Sequence, residues 1–336
     1  MKEALLYKKL KNKTVQCQNC AHYCTIEKNK RGICGVRENK NGKLYSLVYG
    51  KICAINIDPI EKKPLFHFMP GSNSLSVATV GCCFRCASCQ NWTISQMPQL
   101  TGKIEGERLQ PKEIIEIAKR YNLPSISYTY TDPIIFSEYA LDIMKLAKKE
   151  GLKNIWVTSG FFSKQLFDLV SDFIDAVNID LKSYEDDFYI TYCNGRIEPV
   201  LNTLKKMKKK KIWTEVTTLV IPGLNDSLKN LKNIANFIKN ELGKETPWHI
   251  SQFYGDISWK LKHIPPTPIK TLKNAYQIGK EEGLYYVYVG NVHGFHENTH
   301  CPSCNELVIR RNGYTIKRFD KNGKCPKCKR KLEIIE

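Results

Sequence analysis

Three closely spaced cysteines, Cys82, Cys86 and Cys89, follow the pattern C-x3-C-x2-C. Thiolates in such a loop are good ligands for soft metals and for iron–sulfur clusters. A [4Fe–4S] cube is normally held by four thiolates, so a loop that supplies three leaves one iron with an open position. An open position is what separates catalytic metal sites from structural ones. A zinc knuckle or buried core cysteines are the alternatives. We favour the cluster because the loop follows an apolar strand, Ser74–Val80.

A second group lies near the start of the chain and has the spacing C-x2-C-x3-C-x9-C. Its members are Cys17, Cys20, Cys24 and Cys34. Four ligands leave no open position, so the group suits tetrahedral zinc or an auxiliary iron–sulfur cluster. The uneven spacing does not decide between the two.

A third group lies near the end of the chain and has the spacing C-x2-C-x20-C-x2-C. It consists of Cys301, Cys304, Cys325 and Cys328, and two apolar segments between the pairs flank the turn Asn312-Gly313. This pattern predicts a zinc-ribbon hairpin, with rubredoxin-type iron as the alternative metal.

The composition limits the class of protein. The chain has 336 residues, of which 14 are cysteines, and it starts without an apolar segment long enough for export. We therefore expect metal-bound thiolates in the reducing cytoplasm rather than disulfides, and no membrane contact. The 52 basic and 33 acidic residues give a net charge of +19. Such a surface attracts RNA or DNA, but we do not favour nucleic acid as the partner.

Short apolar segments alternate with amphipathic stretches through the middle of the chain. This alternation predicts an α/β fold with parallel strands and right-handed crossovers, arranged as a partial or full (β/α) barrel of about seven strands. The predicted strands are Ser74–Val80, Ser125–Tyr130, Asn154–Thr158, Ala176–Leu181, Trp213–Val220, Trp248–Phe253 and Tyr285–Val289. We divide the chain into an N-terminal Cys-rich module (1–71), the barrel (72–297) and the C-terminal ribbon (298–336).

Several motifs, taken in order, resemble those of a known family. Besides the cysteine loop they are Leu65–Ser72, Gln90–Trp92, Tyr128–Pro133, Asn178–Lys182, Val220–Asp226 and Pro247–His249. Together they resemble the radical S-adenosylmethionine (SAM) enzymes found alongside Memo-like and AMMECR1-like proteins (the AmmeMemoRadiSam system), which are similar to pyruvate formate-lyase activating enzymes. Two departures stand out. Cys83 replaces a small or amide residue, and Asp132 replaces the glutamate of a Tyr-Asn-Glu-Pro stretch.

The resemblance implies which residues bind the cofactors. Cys82, Cys86 and Cys89 hold the [4Fe–4S] cluster, with Cys82 rather than Cys83 in the ligand register. SAM is contacted by residues at the strands' carboxyl ends, namely Thr131, Asp132, Ser159, Gly160, Asp180, Lys182 and His249. The alternatives are an N-cap for Asp132, a plain turn for Ser159 and Gly160, and a satisfied core position for His249.

The expected activity follows from the same resemblance. One electron from a ferredoxin- or flavodoxin-type donor cleaves SAM, and the 5′-deoxyadenosyl radical abstracts hydrogen from a protein or other large substrate. Such an enzyme could activate a partner by installing a glycyl radical, and Memo-like and AMMECR1-like proteins are candidate partners. RNA modification by the same chemistry and a non-enzymatic metal-binding scaffold are the alternatives. No catalytic residue is expected beyond the cluster ligands.

Overall fold

The computed structural model describes residues 1–336, and its N-terminal region consists of short antiparallel strands. They are β1 (Lys2–Glu3), β2 (Tyr7–Lys9), β3 (Val15–Cys17), β4 (Thr25–Ile26), β5 (Arg37–Lys40), β6 (Lys43–Ser46) and β7 (Lys51–Ile52). The turn Asn41-Gly42 joins β5 to β6 in an antiparallel hairpin. Both turn residues adopt positive φ (54° and 88°), as a two-residue hairpin turn requires.

The centre of the molecule is an eight-stranded sheet in the order β16-β15-β14-β13-β12-β11-β9-β8. Its strands are β8 (Ala54–Pro59), β9 (Asn73–Ala78), β11 (Ser125–Tyr128), β12 (Lys153–Thr158), β13 (Ala176–Asp180), β14 (Trp213–Val220), β15 (Trp248–Gln252) and β16 (Val287–Gly290). The intervening β10 (Glu107–Arg108) pairs with β7 instead. From β9 to β16 all pairs in this sheet are parallel, and each strand lies at one of the predicted segments.

The sheet is open. Its end strands β8 and β16 do not pair with each other, so the full barrel among our alternatives is excluded and the partial one remains. Strand β8, which the sequence patterns did not predict, pairs antiparallel with β9. It brings residues 54–59, expected to belong to the N-terminal module, into the central sheet.

Helices cover the sheet as crossover connections. They are α1 (Trp92–Ser95), α2 (Met97–Thr101), α3 (Pro111–Arg120), α4 (Ser137–Lys149), α5 (Lys164–Val170), α6 (Asp186–Phe188), α7 (Ile197–Lys209), α8 (Leu228–Phe237) and α9 (Ile269–Glu281). The local sequence determines where several helices begin. Ser163 caps α5 and Ser227 caps α8. At α3, Gln110 and Glu113 form a capping box, and Pro111 is the first helical residue. None of the helices combines the length and apolar character that a membrane crossing requires.

The C-terminal region forms a small antiparallel sheet of β17 (Thr299–His300), β18 (Leu307–Asn312) and β19 (Thr315–Arg318). The turn predicted at Asn312-Gly313 is one residue too early in the chain. Asn312 pairs with Thr315, so the turn is Gly313-Tyr314, with glycine at the positive φ of 58°. The region docks on residues preceding β9, since Arg311 donates from Nη2 to the Phe66 carbonyl at 2.7 Å.

Candidate active site

A cavity of about 850 Å³ opens at the carboxyl ends of the parallel strands. Parallel α/β sheets place their ligand sites at this edge, because the loops after the strands converge there. Every predicted cluster and SAM residue except Gly160 lines this cavity. The volume falls within the range of roughly 300–1,000 Å³ typical of cofactor and ligand pockets.

The cysteine loop leaves β9 through Gly81 and presents three thiols to the cavity. Gly81 has φ 101°, and a Cβ there would lie 2.6 Å from a Val36 methyl, so only glycine fits. Backbone hydrogen bonds fix the loop from two sides. Arg85 N donates to the Cys193 carbonyl at 2.9 Å, and Trp259 N donates to the Cys89 carbonyl at 3.1 Å. The loop is therefore held in place before any metal binds.

The spacing of the three sulfurs suits a cluster rather than one ion. Cys82, Cys86 and Cys89 are half-buried and line the cavity, but their sulfurs do not all lie within 4.8 Å of one another. Ligands of one metal ion share a centre and lie close together, whereas a cube separates its thiolates by placing each on a different iron. The trio therefore lacks the close spacing of a single-ion site, as expected of thiolates that bind different irons of a cluster.

Cys83 has a different environment from its neighbour. Its side chain is fully buried, does not line the cavity, and its Sγ lies 3.6 Å from Asp132 Oδ2 and 3.8 Å from Ser159 Oγ. Burial raises the pKa of the Cys83 thiol well above its usual value, and the hydrogen bond with Cys82 adds to this shift. Cys83 therefore stays protonated and packs beneath the loop.

Asp132 organises one wall of the cavity. Its Oδ1 accepts from Ile134 N at 3.1 Å and Thr158 Oγ1 at 2.8 Å, and its Oδ2 accepts from the backbone N and hydroxyl of Ser159. The first of these bonds is the N-cap that we considered as the alternative. With the weak Cys83 thiol donor at 3.6 Å, five donors surround this carboxylate, which offers about four lone-pair sites. Asp132 is thus suited to positioning its neighbours rather than to binding an ammonium group itself.

The residues around Asp132 have distinct surroundings. Thr131 lines the cavity and donates from its hydroxyl to the Thr79 carbonyl at 2.7 Å. Ser159 also lines the cavity, beside Asp132. Gly160 does not line it; φ is 73°, and a Cβ there would lie 2.8 Å from an Ile179 methyl. The plain turn that we considered as the alternative accounts for Gly160.

Asp180 and Lys182 form an ion pair on the cavity wall, with Lys182 Nζ 2.8 Å from Asp180 Oδ2. Although burial opposes the charged form, Asp180 and the Cys86 thiol together raise the pKa of Lys182. A hydrogen bond with Cys193 lowers the pKa of the Cys86 thiol despite burial, and the Lys182 ammonium acts in the same direction. The pair thus places a fixed cation next to the Cys86 thiol. Sequence reasoning missed Cys193, because its spacing from the loop carries no signal.

His249 lines the cavity and is anchored by an acid that the sequence did not reveal. Its Nε2 lies 2.6 Å from Oε2 of the fully buried Glu215, and its ring packs edge-on against Phe66. Glu215 also accepts from the backbone N–H groups of Phe66 and His67, both at 2.9 Å. The His249 ring is therefore held in one orientation at the cavity wall.

A second set of residues that sequence reasoning missed also lines the cavity. The buried Lys63 pairs with Asp58 at 2.5 Å, and burial lowers the pKa of Lys63 to about 8. Tyr314, more than half exposed at the tip of the C-terminal hairpin, lines the same cavity. Only tertiary folding brings these distant segments together, so no local motif could have indicated them.

The two four-cysteine groups differ in geometry. The four C-terminal sulfurs lie within 4.8 Å of one another, with 3.6 Å between Cys301 and Cys328 and between Cys304 and Cys325. Zinc with bonds of 2.3 Å places its sulfurs about 3.8 Å apart, so this group fits zinc. The N-terminal cysteines share a second, smaller cavity, and no three of their sulfurs meet the 4.8 Å limit.

Comparisons with known proteins agree with this geometry. Residues 76–238 match the model of the radical SAM superfamily. An uncharacterized protein of Methanocaldococcus jannaschii is 45% identical over the full length of both chains. Pyruvate formate-lyase-activating enzyme of Clostridium pasteurianum is 24% identical over 48% of this chain and 67% of its own.

A solved structure supports the fold. The radical SAM methyltransferase from Sphaerobacter thermophilus superposes with a TM-score of 0.50 and 15% identity, covering 71% of each chain. The matches indicate the same class of protein as the open parallel sheet and the three-thiol loop at its carboxyl edge. Residues 76–238 form a radical SAM superfamily domain, and the chain is an enzyme of the radical SAM class.

Proposed function

We propose that this enzyme acts on a protein or another large substrate by hydrogen abstraction, in the manner of an activating enzyme. The observation that carries the proposal is the three-thiol loop facing a cavity that extends from the strand ends to an exposed rim. When bound, a [4Fe–4S] cluster and SAM supply a 5′-deoxyadenosyl radical by one-electron cleavage of the sulfonium. The protein's task is to bind, orient and shield these groups.

The cavity residues have separate roles in this proposal. Cys82, Cys86 and Cys89 would hold three irons, and the Lys182 ammonium would offset negative charge beside Cys86. Asp132 holds Ser159 and Thr158 in place, and Ser159 and Thr131 line the part of the cavity that would receive SAM. Glu215 holds the His249 ring at the cavity wall, where it would contact the same ligand.

A large substrate is supported by the shape of the rim and by the relatives. The exposed residues Tyr314, His293 and Lys62 line the cavity, so a substrate segment could enter beside them. The relative from C. pasteurianum is named for activating another enzyme, pyruvate formate-lyase. By the same analogy the electron donor is of the ferredoxin or flavodoxin type. The proposal that Memo-like and AMMECR1-like proteins are partners rests on sequence resemblance alone.

The test is product formation under anaerobic conditions. The reconstituted protein, reduced with dithionite and given SAM, is expected to release 5′-deoxyadenosine, measured by chromatography. Cys86→Ala should abolish release, whereas Cys53→Ala, which changes a half-buried cysteine outside both cavities, should not. Absence of product from protein that carries a full cluster at the three-thiol loop would reject the proposal. For a candidate partner enzyme, a glycyl-radical doublet in its electron paramagnetic resonance spectrum is expected.

The C-terminal group completes the proposal as a structural zinc site. Its four sulfurs are arranged around one point, and the region has a core of only five buried residues. Such small units normally depend on a metal for folding. Metal analysis should find about one zinc per chain that survives loss of iron.

A further inference from the structure

The second cavity lies behind the catalytic loop, where the N-terminal region packs against it. All four N-terminal cysteines line it, together with Arg37, His22 and Cys83. The free space is about 10 Å³, roughly that of one water-sized sphere. Its thiols belong to no disulfide and take no part in the reaction proposed above.

The spacing of this site differs from that of a single tetrahedral ion. Four sulfurs bound to zinc at 2.3 Å lie about 3.8 Å apart. The C-terminal group meets that spacing, with sulfur pairs at 3.6 Å. The N-terminal group does not, because no three of its sulfurs lie within 4.8 Å of one another. In this respect it matches the catalytic trio of Cys82, Cys86 and Cys89.

A buried cation at the cavity wall provides an independent indication of an anionic ligand. Arg37 is 2% exposed and donates from Nη1 and Nη2 to the Glu138 carboxylate at 2.8 and 2.6 Å. Its Nε is buried and has no hydrogen-bond partner. Buried donors are almost always satisfied, so an unpaired one beside a thiol-lined cavity indicates a missing acceptor. Sulfur atoms of an iron–sulfur cluster accept such hydrogen bonds, which tune its potential.

From these observations we infer that Cys17, Cys20, Cys24 and Cys34 hold a second [4Fe–4S] cluster. With four thiolates it has no open iron, so it cannot bind SAM as the catalytic cluster does. The site adjoins the catalytic loop directly. His22 Nε2 donates to the Cys83 carbonyl at 2.9 Å, and Cys83 lines this cavity while its neighbour Cys82 lines the other.

The experiment counts metals in the full-length chain after anaerobic reconstitution. The wild type is expected to contain about eight iron atoms with matching sulfide, and about one zinc. The triple variant Cys82→Ala/Cys86→Ala/Cys89→Ala should keep about four irons, and Cys20→Ser/Cys24→Ser should lose about four. Wild type with about four irons and two zincs, or a triple variant without iron, would overturn the inference.

Spectroscopy separates this inference from the proposed function. In the dithionite-reduced triple variant we expect a paramagnetic cluster signal that does not change when SAM is added, because no iron is open. A signal that shifts with SAM would contradict a four-thiolate site. These measurements need no catalytic turnover. The comparison of the wild type with the triple variant is sufficient, even if Cys20→Ser/Cys24→Ser fails to fold. Failure of 5′-deoxyadenosine release would leave them unaffected.

Discussion

The two four-cysteine groups at opposite ends of the chain contain the same residue type in different geometries. The C-terminal group is compact, includes the exposed Cys328, and lies in a small sheet with its own minor core. The N-terminal group is more widely spaced and surrounds a cavity beside the catalytic loop, against the buried Arg37. The number of thiolates is therefore less informative than their separation and the groups that enclose them.

The largest effect expected from this comparison is loss of the C-terminal metal. Cys325→Ser should reduce zinc from about one per chain to near zero and expose residues 298–336 to hydrogen exchange, because five buried residues cannot hold the region together. Iron content should not change. Ser303→Ala, between Cys301 and Cys304 of the same four-cysteine group, is the control and should keep zinc. Loss of iron along with zinc would show that the two ends are not independent.

The next effect concerns the buried ion pair beside the N-terminal group. Glu138→Gln removes the carboxylate that pairs with Arg37 and leaves a guanidinium buried without a counter-charge. Breaking such a pair costs about 3–5 kcal/mol, which should appear as a lower denaturation midpoint in guanidinium chloride. Asp168→Asn, which breaks the exposed pair with Lys164, should change the midpoint little. Equal effects of the two variants would contradict the special role of the buried pair.

A smaller effect links pH to the docking of the C-terminal region. The Nδ1 atom of His67 lies 2.8 Å from the Glu333 carbonyl oxygen, and its Nε2 atom lies 2.6 Å from the Tyr288 hydroxyl. Burial lowers the pKa of His67 to about 4. In the unfolded chain His67 has its ordinary pKa of about 6.5, so it takes up a proton at a higher pH than in the folded state. The contribution of neutral His67 to the free energy of unfolding is therefore fully present above about pH 6.5 and is lost as the pH falls toward about 4.

From these two pKa values we expect a loss of about 2 kcal/mol between pH 7 and pH 5. Unfolding midpoints at both pH values measure it. His67→Gln is expected to lower stability at pH 7 and to reduce the difference between the two conditions. His22, whose pKa burial also lowers, contributes in the same direction and accounts for pH dependence that remains. A pH dependence that is unchanged in His67→Gln would rule out His67 as its source.

The smallest effect is expected at Cys83, which lies between the two sites. Cys83→Ala removes a weak donor to Asp132 and should cost about 1 kcal/mol, with iron content and 5′-deoxyadenosine release retained. Cys82→Ala, one residue away, should lose the catalytic cluster. This pair of variants tests the ligand register directly. Loss of cluster iron in Cys83→Ala with retention in Cys82→Ala would reverse the assignment.

Much of this molecule could be predicted from local patterns. The parallel strands, the helix caps and the hairpin at Asn41-Gly42 depend on short-range periodicity and turn chemistry, which are visible in a few consecutive residues. The three-thiol loop could be recognised because all its ligands lie within eight residues. The C-terminal turn was misplaced by one residue, since Asn312-Gly313 and Gly313-Tyr314 both suit a tight hairpin.

Other features depend on contacts between distant segments, and only the folded chain could show them. No local sequence pattern indicates three of the contacts described above, because each depends on residues far apart in the chain. They are the Glu215–His249 pair, the Cys193–Cys86 pair and the unpaired Nε of Arg37. The open edge of the sheet was likewise undecided by strand count. Residue types and spacing predicted that this chain binds metal through thiolates. The distances between those thiolates, which distinguish one ion from a cluster, are set by tertiary packing.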